Sequence, residues 1–140
     1  MKALVVGGGI GGLAAALSLH HAGLDVEVHE KSPVLAEVGA GIQVSPNGVK
    51  VLERLGLLDE LRAIAFEPEA LEMRMGQTGA AVFSIPIKAI AAQRYGAPYF
   101  HVHRADLHDL LARTLQARAP SALHVGHTVD AITQGANGVE

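Results

Sequence analysis

The chain has 140 residues, eleven Lys and Arg against fourteen Asp and Glu, and no cysteine, so a disulfide frame, a thiolate nucleophile and a cysteine-based zinc site are excluded. A net charge of −3 and a pI near 6.2 give no electrostatic case for nucleic acid or an anionic membrane as partner. Hydrophobic residues at 49%, charged residues at 18% and a mean hydropathy of +0.28 exclude disorder for most of the chain, and aromatics at 4% argue against a base-stacking surface.

Ala3 to Val6 is a short apolar run ending in glycines, as expected of a strand buried on both faces. Ile10 to His21 carries Ile10, Leu13, Leu17 and Leu19 among alanines and stops at Gly23, which predicts a helix. Asp25 to His29 alternates as a second strand. Strand, glycine turn, helix and strand within about 30 residues make a βαβ unit, hence a parallel pair with a right-handed crossover. The stretch Ala3 to Leu19 holds five glycines and a serine and is too short and too broken for a membrane span. With no secretory signal pattern at the start, the expected location is the cytoplasm.

Ser32 to Ser45 is rich in Gly, Val and Ala and reads as a functional loop. Ser45-Pro46 then opens a helix through Val49, Leu52 and Leu55 to a stop at Gly56, and a shorter helix follows from Leu58 to Ala65. Glu69 to Met75 and Ala80 to Ile85 flank Gly76-Gln77-Thr78-Gly79, the pattern of a hairpin, which predicts the start of a second sheet. Met73 and Met75 alternate as core or pocket lining. Tyr99 to His103 is a short strand, and Ala105 to Gln116 a helix with leucines at helical spacing before Pro120. Two last strands are expected at Leu123–Val125 and Val129–Ile132. The end, Gln134 to Glu140, reads as a chain cut within a hairpin.

Gly7-Gly8-Gly9-Ile10-Gly11-Gly12 satisfies G-x-G-x-x-G between a predicted strand and a predicted helix, the context this fingerprint needs. Gly7 permits the turn, Gly9 lets backbone approach a pyrophosphate, and Gly12 lets helix and strand pack closely. The phosphates would then rest on the unpaired N–H groups from Ile10, Gly11 and Gly12. Glu30 lies eighteen residues after Gly12, at the end of the second strand, where a carboxylate accepts hydrogen bonds from an adenosine ribose. A glutamate here disfavours a 2′-phosphate. The ligand is thus a dinucleotide, FAD or NAD.

The run from Gly7 through Leu13, Leu17, Gly23, Val26 and Val28 to Glu30 resembles the opening of FAD proteins of the glutathione-reductase type. Gly39-Ala40-Gly41-Ile42-Gln43-Val44-Ser45-Pro46-Asn47, then Leu52-Glu53-Arg54-Leu55-Gly56-Leu57, then His103-Arg104-Ala105-Asp106-Leu107-His108 follow in order. In that combination the chain resembles, over essentially its whole length, the class A flavoprotein aromatic hydroxylases, particularly the salicylate and 3-hydroxybenzoate hydroxylase branch. The resemblance implies an α/β fold: a Rossmann-like FAD-binding βαβ domain with the start of a substrate-side β-sheet. Its expected divisions are residues 1–66 as the FAD-binding core and loop, 67–98 as the substrate-side hairpin, and 99–140 as a return to the FAD-binding domain.

The resemblance also implies a flavin-dependent monooxygenase that uses NAD(P)H and O2 to hydroxylate a hydroxybenzoate-like aromatic. By position, Glu30 would hold the adenosine ribose and Lys31 would lie near the adenine. Gly41, Gln43 and Val44 would run along the ribityl and isoalloxazine side. Arg104 would contact the cofactor, and Val129 would meet the adenine through backbone groups. No residue of this chain takes a named catalytic role. Members of the family are normally much longer, and later segments that close on the flavin phosphates are missing here, so the chain alone is expected to be inactive. Another FAD oxidase or dehydrogenase of the same fold, or a non-catalytic binding module, are the alternatives.

The histidines carry no metal spacing: His20 and His21 are adjacent on a helix, and His124 and His127 straddle a turn. His108, near a helix start, reads as exposed. Open sheet edges and an uncovered apolar face are expected to promote association into homo-oligomers.

Overall fold

The structure is a computed structural model that describes residues 1–35, 39–135 and 138–139. In chain order its elements are β1 (Lys2–Val6), α1 (Ile10–His21), β2 (Asp25–Glu30), β3 (Gly41–Val44), α2 (Pro46–Arg54), α3 (Leu58–Ile64), β4 (Ala65–Phe66), β5 (Leu71–Arg74), β6 (Ala81–Ile85), α4 (Ile87–Tyr95), β7 (Phe100–His103), α5 (Arg104–Arg118), β8 (Leu123–Val125), β9 (Gln134–Gly135) and β10 (Gly138–Val139). They fall into two compact units, Met1–Glu37 with His108–Glu140, and Val38–Leu107. The division passes through α5, between Leu107 and His108.

The first unit is built on a parallel sheet in the order β1-β2-β8. β1 and β2 pair from Lys2↔Asp25 to Val6↔His29, with α1 as the connection, so the expected βαβ unit is present. Strand alternation puts Val26 and Val28 on one face, buried along with Leu13, Ala16 and Leu17 of α1. Leu111 and Leu115 of α5 are also fully buried. The opposite face of β1 is open among the described residues: Leu4 is 43% and Val6 59% exposed. That is unusual, because parallel sheets are normally covered on both faces.

β8 continues the sheet, pairing Leu123, His124 and Val125 with Val28, His29 and Glu30. The strand expected at Val129–Ile132 is absent. Those residues have β-forming side chains but no ladder partner, and Ile132 is 67% exposed. The antiparallel pairing lies further on instead, between Gln134–Gly135 and Gly138–Val139.

The second unit carries an antiparallel sheet, β3-β7-β4, and a separate hairpin, β5-β6. β3 arises inside the segment read as a loop. Its Ile42 and Val44 stand opposite Val102 and Phe100 of β7, and Val44, Phe100 and Val102 are buried. α2 begins after Ser45 with Pro46 in its first turn, as the Ser-Pro pair predicts, although Ser45 Oγ bonds to Asn47 Oδ1 and makes no cap bond to the helix. The expected hairpin forms with β5 and β6 antiparallel and a bulge at Met73/Arg74. Its methionines are not core: Met73 and Met75 are both more than half exposed, while Leu71 at the start of β5 packs against Ile87, Ala91 and Tyr99. α4 buries Ile87 and Ala91 together with Tyr99.

Candidate functional site

In the first unit the glycine turn closes β1 onto α1. Gly7 has φ +100, a conformation that side chains rarely adopt, and its N–H donates to His29 O at 2.8 Å. Gly9 caps α1 in an extended conformation with no side-chain bond, and no acidic residue occupies the first turn. The amides of Ile10, Gly11 and Gly12 therefore face outward from a helix N-terminus with no carbonyl of their own helix to bond, an arrangement that favours an anion. A Cβ built on Gly12 would stand 1.9 Å from Gly7 O, so helix and turn touch backbone to backbone.

Glu30 reaches back to this turn. Its Oε2 accepts the Gly8 N–H at 2.6 Å and its Oε1 accepts the Ser32 N–H at 2.8 Å. These bonds, that of Ser32 first, hold the Glu30 carboxyl below its ordinary value, against a smaller opposing effect of burial. A folded-state pKa below the unfolded one adds stability that is complete above the ordinary value of 4.5 and is lost as pH falls through the lowered one. Urea midpoints measured from about pH 7 down to about pH 3 should fall less steeply in Glu30→Gln than in the parent. Parallel curves would remove Glu30 from the acid limb.

Behind the turn, His108 of α5 places Nε2 2.8 Å from Gly8 O. A carbonyl only accepts, so Nε2 carries the proton. His108 is only 5% exposed, which corrects the expectation that it faces solvent. It sits three and seven residues before Leu111 and Leu115, on the buried face of the helix. Replacing it with alanine leaves the Gly8 carbonyl without its buried partner, and a loss of about 1–3 kcal/mol is expected in urea denaturation.

A cavity of about 120 Å³ lies here, lined by Gly8, Gly9, Glu30, Ser32, Val34 and His108 among others. Each carboxylate oxygen of Glu30 spends one lone pair on an amide and keeps another, so the group can still accept two hydroxyl hydrogens. Acceptors for a diol beside unpaired helix amides suit the adenosine ribose and pyrophosphate of a dinucleotide. The residues present fit that group.

The other predicted residues are placed as follows. Lys31 is exposed just past β2, and Val129 is exposed in the segment after β8. Gly41, Gln43 and Val44 belong to β3 of the second unit. There Gln43 is exposed opposite His101, while Val44 turns into the core. Arg104 opens α5, its N–H bonds to Ala40 O at 3.3 Å, and its side chain lies over Gly39, where a Cβ would come within 3.0 Å of Cδ. Three residues escaped the sequence reading. The amides of Gly8 and Ser32 left no side-chain signal, whereas His108 was findable from its spacing to Leu111 and Leu115. His29, His124 and His127 gather with ring centroids 5.1 to 5.8 Å apart, yet no set of described residues is arranged to hold a metal ion.

A glycine turn, an open helix terminus and a carboxylate at the end of β2 are the arrangement of a dinucleotide-binding βαβ unit. The model of the FAD binding domain family matches residues 1–140, and the chain belongs to that family. It is 45% identical over 119 residues to 3-amino-4-hydroxybenzoate 2-monooxygenase of Streptomyces cremeus, covering 85% of this chain and 30% of that protein. The fold matches that of Klebsiella pneumoniae HpxO, solved with FAD and uric acid, at a TM-score of 0.82 and 32% identity, over 99% of this chain and 34% of that one. It also matches the tetrameric form of 2-methyl-3-hydroxypyridine-5-carboxylic acid oxygenase at a TM-score of 0.80 and 33% identity, over 99% of this chain and 36% of that one. The chain thus spans about a third of the length of these relatives. Among the described residues no helix is long and apolar enough to cross a membrane.

Proposed function

We propose that the chain is the FAD-binding part of a flavin-dependent monooxygenase that uses NAD(P)H and O2 to hydroxylate a hydroxybenzoate-like aromatic. The observation that carries this reading is the Glu30 carboxylate closed onto the Gly8 amide beside the free N-terminus of α1. When bound, FAD supplies the redox chemistry that couples NAD(P)H and O2 to the aromatic ring. In this chain Glu30 accepts the ribose hydroxyls, and the Ile10, Gly11 and Gly12 amides hold the pyrophosphate through the room left by Gly7 and Gly9. Lys31 and Val129 attend the adenine. Gly41, Gln43 and Val44 border the ribityl chain and isoalloxazine, and Arg104 binds cofactor oxygens with its guanidinium fork. Residues 1–66 and 99–140 serve the cofactor and 67–98 the substrate side. The whole protein works in the cytoplasm as a homo-oligomer, a reading favoured by the open face at Leu4 and Val6 and by the tetrameric relative.

The test is a titration of the purified chain with FAD and, separately, with NAD, followed by flavin fluorescence and calorimetry. FAD is expected to bind and NAD to bind weakly or not at all. Uptake of NAD in preference to FAD, or of neither, overturns the reading.

A further inference from the structure

Strand pairing in the second unit lays three side chains in one row across the sheet: Gln43 of β3 and Phe66 of β4 both stand opposite His101 of β7. One face of these strands is core, where Val44, Phe100 and Val102 are buried. Gln43 and Phe66 are exposed, so the row lies on the other face. Within it, His101 Nε2 is shut off from solvent and has no hydrogen-bond partner. Buried polar atoms are seldom left so, and a phenylalanine ring would fill the same space without the cost. The imidazole meets the ring of Tyr99 edge-on at 5.8 Å, a contact that limits how far it can swing.

The partner it lacks stands across the strand. Directly opposed residues of antiparallel strands carry their Cβ atoms about 4.5–5.5 Å apart, within reach of a glutamine side chain. The Gln43 amide is exposed and makes no hydrogen bond with the described residues. While water satisfies that amide, a bond to His101 gains little. A flat ring laid on this face removes the water, and the amide then needs a partner from the protein.

We propose that His101 is a positioning residue for the isoalloxazine: its Nε2–H donates to Gln43 Oε1 and so turns the Gln43 NH₂ group toward the acceptor atoms on the edge of the ring. The inference rests on the reading that places Gln43 beside the isoalloxazine. His101 itself does not touch the cofactor. A neutral imidazole has one N–H to give, and giving it to Gln43 decides which end of the amide meets the ring.

The full chain is titrated with FAD by calorimetry and flavin fluorescence, beside Gln43→Ala, His101→Phe, the double variant and His101→Gln. Gln43→Ala and His101→Phe should each weaken FAD binding about fivefold, the effect of one hydrogen bond, and should alter the visible absorption of bound flavin in the same way. The double variant should bind no more weakly than the weaker single one, because both remove the same interaction. His101→Gln, which restores a donor, should recover most of the affinity. In the ligand-free chain His101→Phe should unfold at the same or a higher urea concentration, since it removes an unsatisfied buried atom. A His101→Phe chain with the parent's affinity and flavin spectrum, losses that add in the double variant, or an affinity that falls only with stability overturns the inference and leaves the cofactor reading intact. A parent chain that takes up no FAD overturns both.

Discussion

Gly12→Ala is expected to destabilise the first unit by about 3 kcal/mol or more and to abolish FAD binding, while Gly11→Ala leaves the fold intact. The two glycines are neighbours in the first turn of α1 and differ in what a Cβ would meet. At Gly11 nothing lies within 4 Å, so alanine there costs no contact and raises helix propensity by up to about 1 kcal/mol. At Gly12 the methyl would stand 1.9 Å from Gly7 O and 3.1 Å from Gly7 C, both backbone atoms. Gly7 cannot retreat cheaply. Its N–H is bonded to His29 O, and its positive φ is set by the turn. The helix must therefore lift from the strand end, which shifts the Ile10 and Gly11 amides relative to the turn. Urea denaturation of both variants, with flavin fluorescence titration of whichever folds, measures the contrast. A Gly12→Ala protein as stable as the parent would mean that α1 does not rest on the turn.

The glycines around α1 show why this part of the molecule is legible in the sequence. Gly7, Gly9 and Gly12 punctuate the chain at fixed offsets, and Gly23 ends the helix, so α1 was expected at Ile10–His21 and is found there. Local signals carry local structure. β3 was hidden for the opposite reason: its partner β7 begins more than fifty residues later, and nothing in Gly41–Val44 distinguishes a strand from a glycine-rich loop until Val102 and Phe100 stand opposite it. Val129–Ile132 failed in reverse, with strand-like composition but no partner. Within the site, Glu30 was readable because spacing from the glycines fixes its place at the end of β2. Its two amide donors were not. They depend on the bend at Ser32 and on how the Gly8 peptide is turned, and backbone orientation leaves no mark on side-chain identity. His108 lay between these cases, with a burial pattern present in the helix but a polar side chain that argued for solvent.

Glu30→Ala should weaken FAD binding by about a hundredfold, the effect of losing two charge-assisted hydrogen bonds to the ribose at about 1.5 kcal/mol each. Alanine also leaves the Gly8 and Ser32 amides without an acceptor, so lost affinity could follow from a loosened turn. Glu30→Gln separates the two effects. Its single carbonyl oxygen can satisfy one amide, but its NH₂ group then faces the other donor, so the turn is partly kept while the ribose loses one acceptor. If Glu30 acts on the ligand, Gln should fall between Glu and Ala in FAD affinity, with a ligand-free stability closer to the parent. If it acts only on the turn, affinity will follow stability across all three proteins. Arg104→Ala supplies the comparison from the second unit. It should lower FAD affinity about tenfold, by one guanidinium contact, with no change in the acid limb of stability that Glu30 governs. Unchanged FAD affinity in both Glu30→Ala and Arg104→Ala, in proteins shown to be folded, would mean that neither residue holds the cofactor. The helix amides alone would then have to account for any binding that remains.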